Sequence, residues 1–449
     1  MLSLPSAARE LFMSFSVAFS EPTFQRMLAL CLGAFLASGP HTVAAMLWSA
    51  RCVISGHWTD YHRVFSRASW SLWTLGKILG QAILRWVPDD EPVVVAIDDT
   101  TAQHRGKRVY GKGCHRDGVR STHRHLVFKW GHCWVVLAVL VKFPFSRRRW
   151  ALPLLMALYR PEELDRAENR RHKTPPELAR QLIAVLLRWF PGRRFIFLGD
   201  GGYASHDLAR SCQRHARRST LVSRFHPKAR LYERPAERRP GQKGRTRVVG
   251  RRLPTPEQGV KKSRLRKTLV EWTGGKRRRV GLVSGTGHWY KVKQGLVEVR
   301  WVFVRDLEGS HRDQYFFTTD VTMRPEEIVG YYNRRWSIET TFEEVREHLG
   351  FETTRQRSKK SVLRTGPWLL GLFSVVCLVF AKHARTHKVL VAQRPWYRKA
   401  EPTFSDALAT VRELIRSEIF FQQVRKTKAV KKLPPALREL LLEHLVSAA

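Results

Sequence analysis

An α/β fold built on a mixed sheet is what this sequence predicts, and three observations predict it. Short apolar runs at 93–97 and 194–198 end abruptly near Asp98 and Asp200, as buried strands do. Amphipathic stretches of 3.6-residue spacing, 175–190 foremost, alternate with those runs. The first 90 residues carry helical periodicity and no convincing strand. The expected layout is a helical region at 1–90, a sheet-bearing region at 91–225 and 297–390, a basic insertion at 226–296 and a helical C-terminal region at 391–449.

Taken in order, 23–37 and 41–52 are expected helices, separated by the turn Ser38-Gly39-Pro40. The segment 57–70 follows, mixing Trp58, Tyr61, His62, Arg63, Arg67 and Trp70. Two helices, a tight turn and a basic aromatic helix resemble a helix-turn-helix DNA reader; an ordinary three-helix bundle gives the same pattern. The strand 93–97 opens the sheet, and the Gly-rich basic segment 105–120 reads as a hairpin turn. Strands at 133–145 and 150–159 come next. A helix at 175–190 begins with Pro175-Pro176, where a missing N–H costs nothing. Strand 194–199, helix 205–217 and strand 220–225 complete the alternation. Residues 224–279 then carry 20 Lys/Arg against 4 Asp/Glu with weak apolar periodicity, which reads as an insertion of loops and short strands. Segments 297–304 and 315–318 return the chain to the sheet. Pro325 opens one long helix to about residue 349; an apolar helix at 367–384 packs on the sheet, and 395–449 reads as two or three helices.

Composition narrows the function. The 449 residues carry 80 Lys+Arg against 38 Asp+Glu, a formal charge of +42, and are 43% hydrophobic. That much apolar content supports a large core and excludes global disorder. That much positive charge repels itself unless a polyanion neutralises it, so nucleic acid is the expected partner rather than a small molecule. A ribosomal-type or membrane-surface protein is the competing class. The uncharged stretches 27–50 and 366–381 are too interrupted or too short for a span of about 20 residues, so both read as buried helices and no membrane is expected. Arg9 and Glu10 interrupt any leader-like start, and none of the six cysteines forms a CxxC pair, so a reducing cytoplasm is expected and a zinc ribbon is not.

Four acids stand out by context. Asp98 and Asp99 terminate one buried strand and Asp200 another; Glu339 lies in the long helix. Carboxylates at the carboxyl ends of neighbouring strands repel each other unless a cation sits between them. Mg²⁺ accepts a few carboxylates plus waters and phosphate oxygens, and a metal pair can clamp both oxygens of a phosphoryl transfer. Each Asp taken alone reads equally as a strand-end turn residue or a helix cap. On one continuous helix, Tyr332, Arg335, Glu339 and Arg346 fall within a stripe of about 60°. Cations on that stripe suit phosphates and the carboxylate suits a metal. Trp336 and Ile338 lie off it, as core anchors, and Glu343, Glu344 and Glu347 read as a solvated face.

These residues resemble the DDE transposases of bacterial insertion sequences, in the branch with the helix signature Y-x2-R-x3-E-x6-K. Tyr332, Arg335 and Glu339 keep its spacing, with Arg346 in place of the Lys. Ala96-Ile97-Asp98-Asp99-Thr100-Thr101 is similar to the family's strand ending in D-x-T, and Gly199-Asp200-Gly201-Gly202-Tyr203 to its G-D-x-x-Y. The resemblance implies an RNase H-like core, two Asp and one Glu holding two Mg²⁺ (Mn²⁺ as a substitute), and cleavage of transposon ends followed by strand transfer. It implies double-stranded DNA as partner, a homodimer on that DNA, and a place in the bacterial cytoplasm at the nucleoid. D-x-T fits both Asp98 and Asp99; the Asp-Thr-Thr form favours Asp99, with Asp98 the other candidate. The resemblance also implies that an aromatic of the insertion holds an unstacked base. Trp289, read as standing on a turn beside Lys291 and Lys293, is the candidate, while Tyr332 and Arg335 grip the phosphate. Trp301 reads as core, and Trp272 equally as core or as a second candidate. A catalytically inactive DNA-binding relative and an RNase H-like nuclease that only hydrolyses are the alternative readings.

Overall fold

The computed structural model describes residues 4–117, 121, 125–237, 244, 247–389, 391, 398–426 and 434–437. Five helices precede the first strand: α1 (Ser6–Ser14), α2 (Glu21–Leu36), α3 (Val43–Ser49), α4 (Trp58–Ser66) and α5 (Leu72–Leu84). α2 is buried on every side from Met27 to Phe35. Gly33 permits this, because a Cβ there would lie 2.2 Å from the carbonyl oxygen of Met46 in α3. α4 turns Tyr61, Val64 and Phe65 inward and leaves Trp58 and Arg63 outward. The mixed basic and aromatic face expected for 57–70 is therefore smaller than its composition implied. Tyr61 is core, and Trp70 lies beyond the helix, buried, its indole N–H donating to the Val64 carbonyl at 2.7 Å.

The last carbonyls of α4 have no partners within the helix. They are capped from far along the chain. The buried guanidinium of Arg364 donates to the carbonyls of Val64 and Phe65 at 3.3 Å, Ala68 at 2.8 Å and Trp70 at 2.7 Å, and lies 4.2 Å over the Trp70 ring.

Among the described residues eleven strands form one mixed sheet. β1 (Val93–Gln103) pairs antiparallel with β3 (Phe128–Val141), which pairs with β4 (Trp150–Tyr159); β2 (Gly113–Arg116) borders β3. On its other side β1 pairs parallel with β5 (Phe195–Gly199), and β5 with β6 (Ser219–Arg224). α6 (Glu162–Ala167), α7 (Pro175–Trp189) and α8 (His206–Arg214) supply the crossovers, as helices must between parallel strands. β7 (Leu231–Tyr232), α9 (Pro256–Lys261), β8 (Arg266–Glu271), β9 (Arg277–Lys291), β10 (Gly295–Asp306) and β11 (Gln314–Thr318) follow. β11 pairs with β6, so the later strands prolong the same sheet. α10 (Pro325–Arg334), α11 (Ser337–His348), α12 (Lys359–His383) and α13 (Phe404–Lys426) follow.

Three expectations are corrected. The long helix from Pro325 is two, α10 and α11, joined by a turn tightened to i→i+3 bonds: Arg335 N–H to Tyr332 at 3.1 Å and Glu339 N–H to Trp336 at 3.1 Å. The insertion holds long strands, β9 spanning 15 residues, because its polar start hides the alternation. Pro367 does not open α12 but sits inside it; the earlier turns are held by burial of Ser361, Val362, Arg364 and Thr365. α12 is long and apolar enough to cross a membrane, and 83% of its most apolar window is buried within the fold. Of the helices expected over 395–449, 395–397, 427–433 and 438–449 lie outside the described residues.

His104, His115 and His132 are buried near the β1–β3 junction, the His132 ring nitrogen 3.0 Å from the Tyr110 carbonyl oxygen. Burial holds all three below the usual imidazole value, His132 at about 4. The unfolded chain takes up these protons near pH 6.5 while the folded chain does not. Stability from these groups is thus complete above about pH 6.5 and lost as pH falls towards 4. We expect the melting temperature to fall over this window, with a shallower slope in His132→Gln; an unchanged slope would show that His132 does not contribute.

Candidate active site

β1 is buried from Val93 to Ile97 and opens at Asp98. Successive side chains on a strand point to opposite faces, and this pleat separates the two candidates. On one face Asp98 is followed by Thr100; on the other Asp99 is followed by Thr101. The carboxylate of Asp98 accepts from Arg335 Nη1 at 2.5 Å, and Arg335 Nη2 donates to Glu339 Oε1 at 2.7 Å. Arg346 donates to the Thr100 hydroxyl on this same face. Asp99 turns the other way: Oδ1 accepts from the Tyr203 hydroxyl at 3.1 Å, and Oδ2 lies 3.6 Å from the Cys133 thiol. Asp99, favoured by the Asp-Thr-Thr form as the first metal ligand, thus does not share the face of Glu339. A one-residue shift on a strand changes the face, and Asp98 is the one facing Arg335 and Glu339.

Asp200 comes alongside by register. Gly199 pairs with Ile97 across the parallel β1–β5 ladder, so the next residue on each strand is Asp200 and Asp98. Asp200 Oδ1 accepts from the Gly202 amide at 2.8 Å and caps the short turn Gly201–Tyr203, which delivers the Tyr203 hydroxyl to Asp99. The Ser223 hydroxyl on β6 donates to the Asp200 carbonyl at 2.7 Å. The sequence Gly-Asp-Gly-Gly-Tyr is thus a strand end, a cap and a tyrosine that fixes the far-side carboxylate.

Electrostatics follow from this crowding. Burial pushes Asp98 up to about 7; Arg335 opposes that, while Asp200 and Asp99 add to it. Asp99 is also raised, burial first, with the Tyr203 hydrogen bond pulling it down and Asp200 raising it. Arg335 is held above its ordinary value by Asp98 and Glu339 despite its burial. The centre is three carboxylates and one guanidinium, with the guanidinium standing between two of the acids. Among the described residues no group of three or more His, Cys, Asp or Glu side chains is placed to hold a metal ion.

The remaining sequence candidates divide. Arg346 lies on the Asp98 face. The Tyr332 ring is buried on Phe316 at 4.2 Å, with Arg335 at 5.8 Å over it, so it braces the guanidinium from within the core. Trp336, expected as a core anchor, is 54% exposed, while Ile338 is fully buried. Trp289 stands inside β9, paired with Val297, not on a turn; its half-buried ring meets His206, Phe225 and Phe317 edge-on. It is packed with other aromatics instead of presented between cations.

A basic cavity of about 950 Å³ lies against the other side of the α10–α11 turn, lined by Lys142, Arg147, Arg148, Arg149, Lys276 and Arg277, with Trp336 at its wall. Lys276 and Arg277 belong to the basic stretch 224–279, whereas the run Arg147-Arg148-Arg149 carries no motif, and only the fold brings it beside β8 and β9.

A family model described as DDE superfamily endonuclease matches residues 14–279, which include Asp98, Asp99 and Asp200 and end before Glu339. Among solved structures, the cryo-EM structure of a piggyBac transposase synaptic complex with hairpin DNA is similar at a TM-score of 0.41 and 12% identity, over 98% of this chain and 80% of that one. Among curated proteins, none matches.

Proposed function

The chain belongs to the DDE superfamily endonucleases, and on that premise we propose that it is an insertion-sequence transposase that cuts and joins DNA ends with Asp98, Asp200 and Glu339. The observation that carries this reading is the meeting of Asp98 and Asp200 in register on adjacent parallel strands, with Glu339 tied to Asp98 through Arg335. The order β4-β3-β1-β5-β6, three antiparallel strands followed by two parallel ones, supports an RNase H-like core.

The hard carboxylate oxygens of Asp98, Asp200 and Glu339 are the donor chemistry that Mg²⁺ takes, although here the Arg335 guanidinium stands between Asp98 and Glu339. Asp98, Asp200 and Glu339 would hold the ion, with Arg335 turned away from the acids. Bound there, Mg²⁺ supplies Lewis-acid polarisation of the phosphoryl group and a lowered pKa for the attacking water. The chain's own residues do the rest. Arg335 and Arg346 orient the phosphate by charge-assisted hydrogen bonds. Tyr332 holds the Arg335 stem in place, and Tyr203 keeps Asp99 on the far face. The exposed side of α4, with Trp58 and Arg63, reads the DNA, and the basic cavity neutralises its backbone. The protein works as a homodimer on paired ends, in the bacterial cytoplasm.

The test is a nicking assay on duplex DNA carrying the sequences that flank this coding region. Cleavage that requires Mg²⁺ or Mn²⁺ and leaves a 3′-hydroxyl able to join a target is expected; hydrolysis without joining would point to a plain nuclease, and binding without cleavage to an inactive relative.

A further inference from the structure

The β2–β3 hairpin presents an unusual outward face. Leu126, Phe128 and Trp130, at alternate positions, are 53%, 58% and 59% exposed. Across the ladder Trp130 faces Cys114 and Phe128 faces Arg116, both exposed, so these four side chains share one face, with Leu126 exposed just before the strand. Lys112 lies 5.6 Å over the Trp130 ring. The opposite face is closed: His115 and Asp117 are buried, and Lys129 pairs with Asp117 at 3.6 Å. The strand's pleat thus sorts apolar rings to solvent and the paired charges inward, the reverse of the usual arrangement on a half-buried sheet.

The face is set in positive charge, and its hairpin joins the sheet at the end of β1, the strand that carries Asp98. Residues 105–129 carry eight Lys/Arg and one acid. A cavity of about 440 Å³ joins the hairpin to the end of β1; Arg105, Lys112 and Lys129 line it with Phe128 and Trp130, and Asp117 and Glu352 are its two acids. From Asp98 the strand runs past Thr100, bonded to Arg346, to Gln103 on the other face, whose backbone N–H donates to Glu352 at 3.0 Å. Five residues of strand separate Asp98 from Gln103, roughly 17 Å.

We propose that this face is a stacking platform for unpaired bases of a DNA strand leading away from the cleavage centre. The inference rests on the reading of the chain as a DNA-processing enzyme and names a substrate class for it. Aromatic faces hold bases by stacking, and neighbouring cations follow the phosphates. In a duplex the base faces are covered by their neighbours, so only unpaired nucleotides can lie on Phe128 and Trp130. The cations around the rings fit a polyanion and oppose a second, equally basic copy of the chain.

The experiment uses the full chain in EDTA, titrated against a labelled oligothymidylate and, separately, a duplex of equal length. Phe128→Ala/Trp130→Ala should weaken oligothymidylate binding by about tenfold to a hundredfold and leave duplex binding unchanged. Trp130→Phe, which keeps a π face, should retain most of the affinity. Equal losses on both DNAs, or no loss on the oligothymidylate, would overturn the platform. So would sedimentation showing that the parent self-associates and the double variant does not, since the face would then be an interface between copies. If the parent bound neither DNA, the broader DNA-processing reading would fail; duplex binding with a ring-insensitive single strand would sink this inference alone.

Discussion

Glu339→Gln should lower the rate of metal-dependent nicking by about 10³-fold or more, equivalent to about 4 kcal/mol of transition-state stabilisation. The substitution keeps the side-chain volume and removes the charge that shares Arg335 with Asp98. Asp98→Asn and Asp200→Asn should act alike. Asp99→Asn should cost far less, because Asp99 faces Tyr203 and Cys133 on the other side of β1. DNA affinity should survive all four, since binding rests on Lys and Arg against phosphate. Single-turnover cleavage measures these differences. A Glu339→Gln enzyme of parental rate would refute the assignment, and an Asp99→Asn enzyme as dead as Asp98→Asn would return the metal to the far face.

DNA affinity should fall about 10³- to 10⁵-fold between 50 and 200 mM salt if 6–10 phosphates are neutralised. The basic cavity beside the α10–α11 turn gathers cations from three separate parts of the chain, the β3–β4 connection, the start of β9 and α10. Arg334 is there partly answered by Glu271 at 2.6 Å, whereas Arg149 is held below its ordinary value by burial first and by Arg334 after it. Anisotropy titrations over that salt range would show the slope, and a flat response would remove nucleic acid as the answer to the +42 charge.

Much of this arrangement is legible in the residues, and the reasons differ by element. β5 is visible because both its faces are buried, leaving an uninterrupted apolar run that stops at Asp200. α7 is visible because its sole apolar stripe meets the sheet. β9 is not, since it starts Arg277-Arg278-Arg279 and its pairing with β8 and β10 is what makes a strand of it. The choice between Asp98 and Asp99 depends on the phase of a pleat, which a motif spelling D-D-T-T leaves open. Trp336 and Trp289 exchanged places for a similar reason: whether an aromatic is covered depends on which remote element arrives, β11 and α8 over Trp289 and none over the indole of Trp336.

The Arg364 cap on α4 has a consequence for how the protein is made. The guanidinium that closes the end of α4 lies 300 residues after Val64. At a synthesis rate of roughly 5–20 residues per second, about 15–60 s pass between the emergence of α4 and the arrival of its cap. During that interval the Val64 carbonyl has only the nearby Trp70 indole, the Phe65 carbonyl has only water, and the ring of Trp70 lacks the cation that covers it. The helices made first are therefore finished last, and a message truncated before α12 yields an N-terminal segment that never acquires its own closing contact.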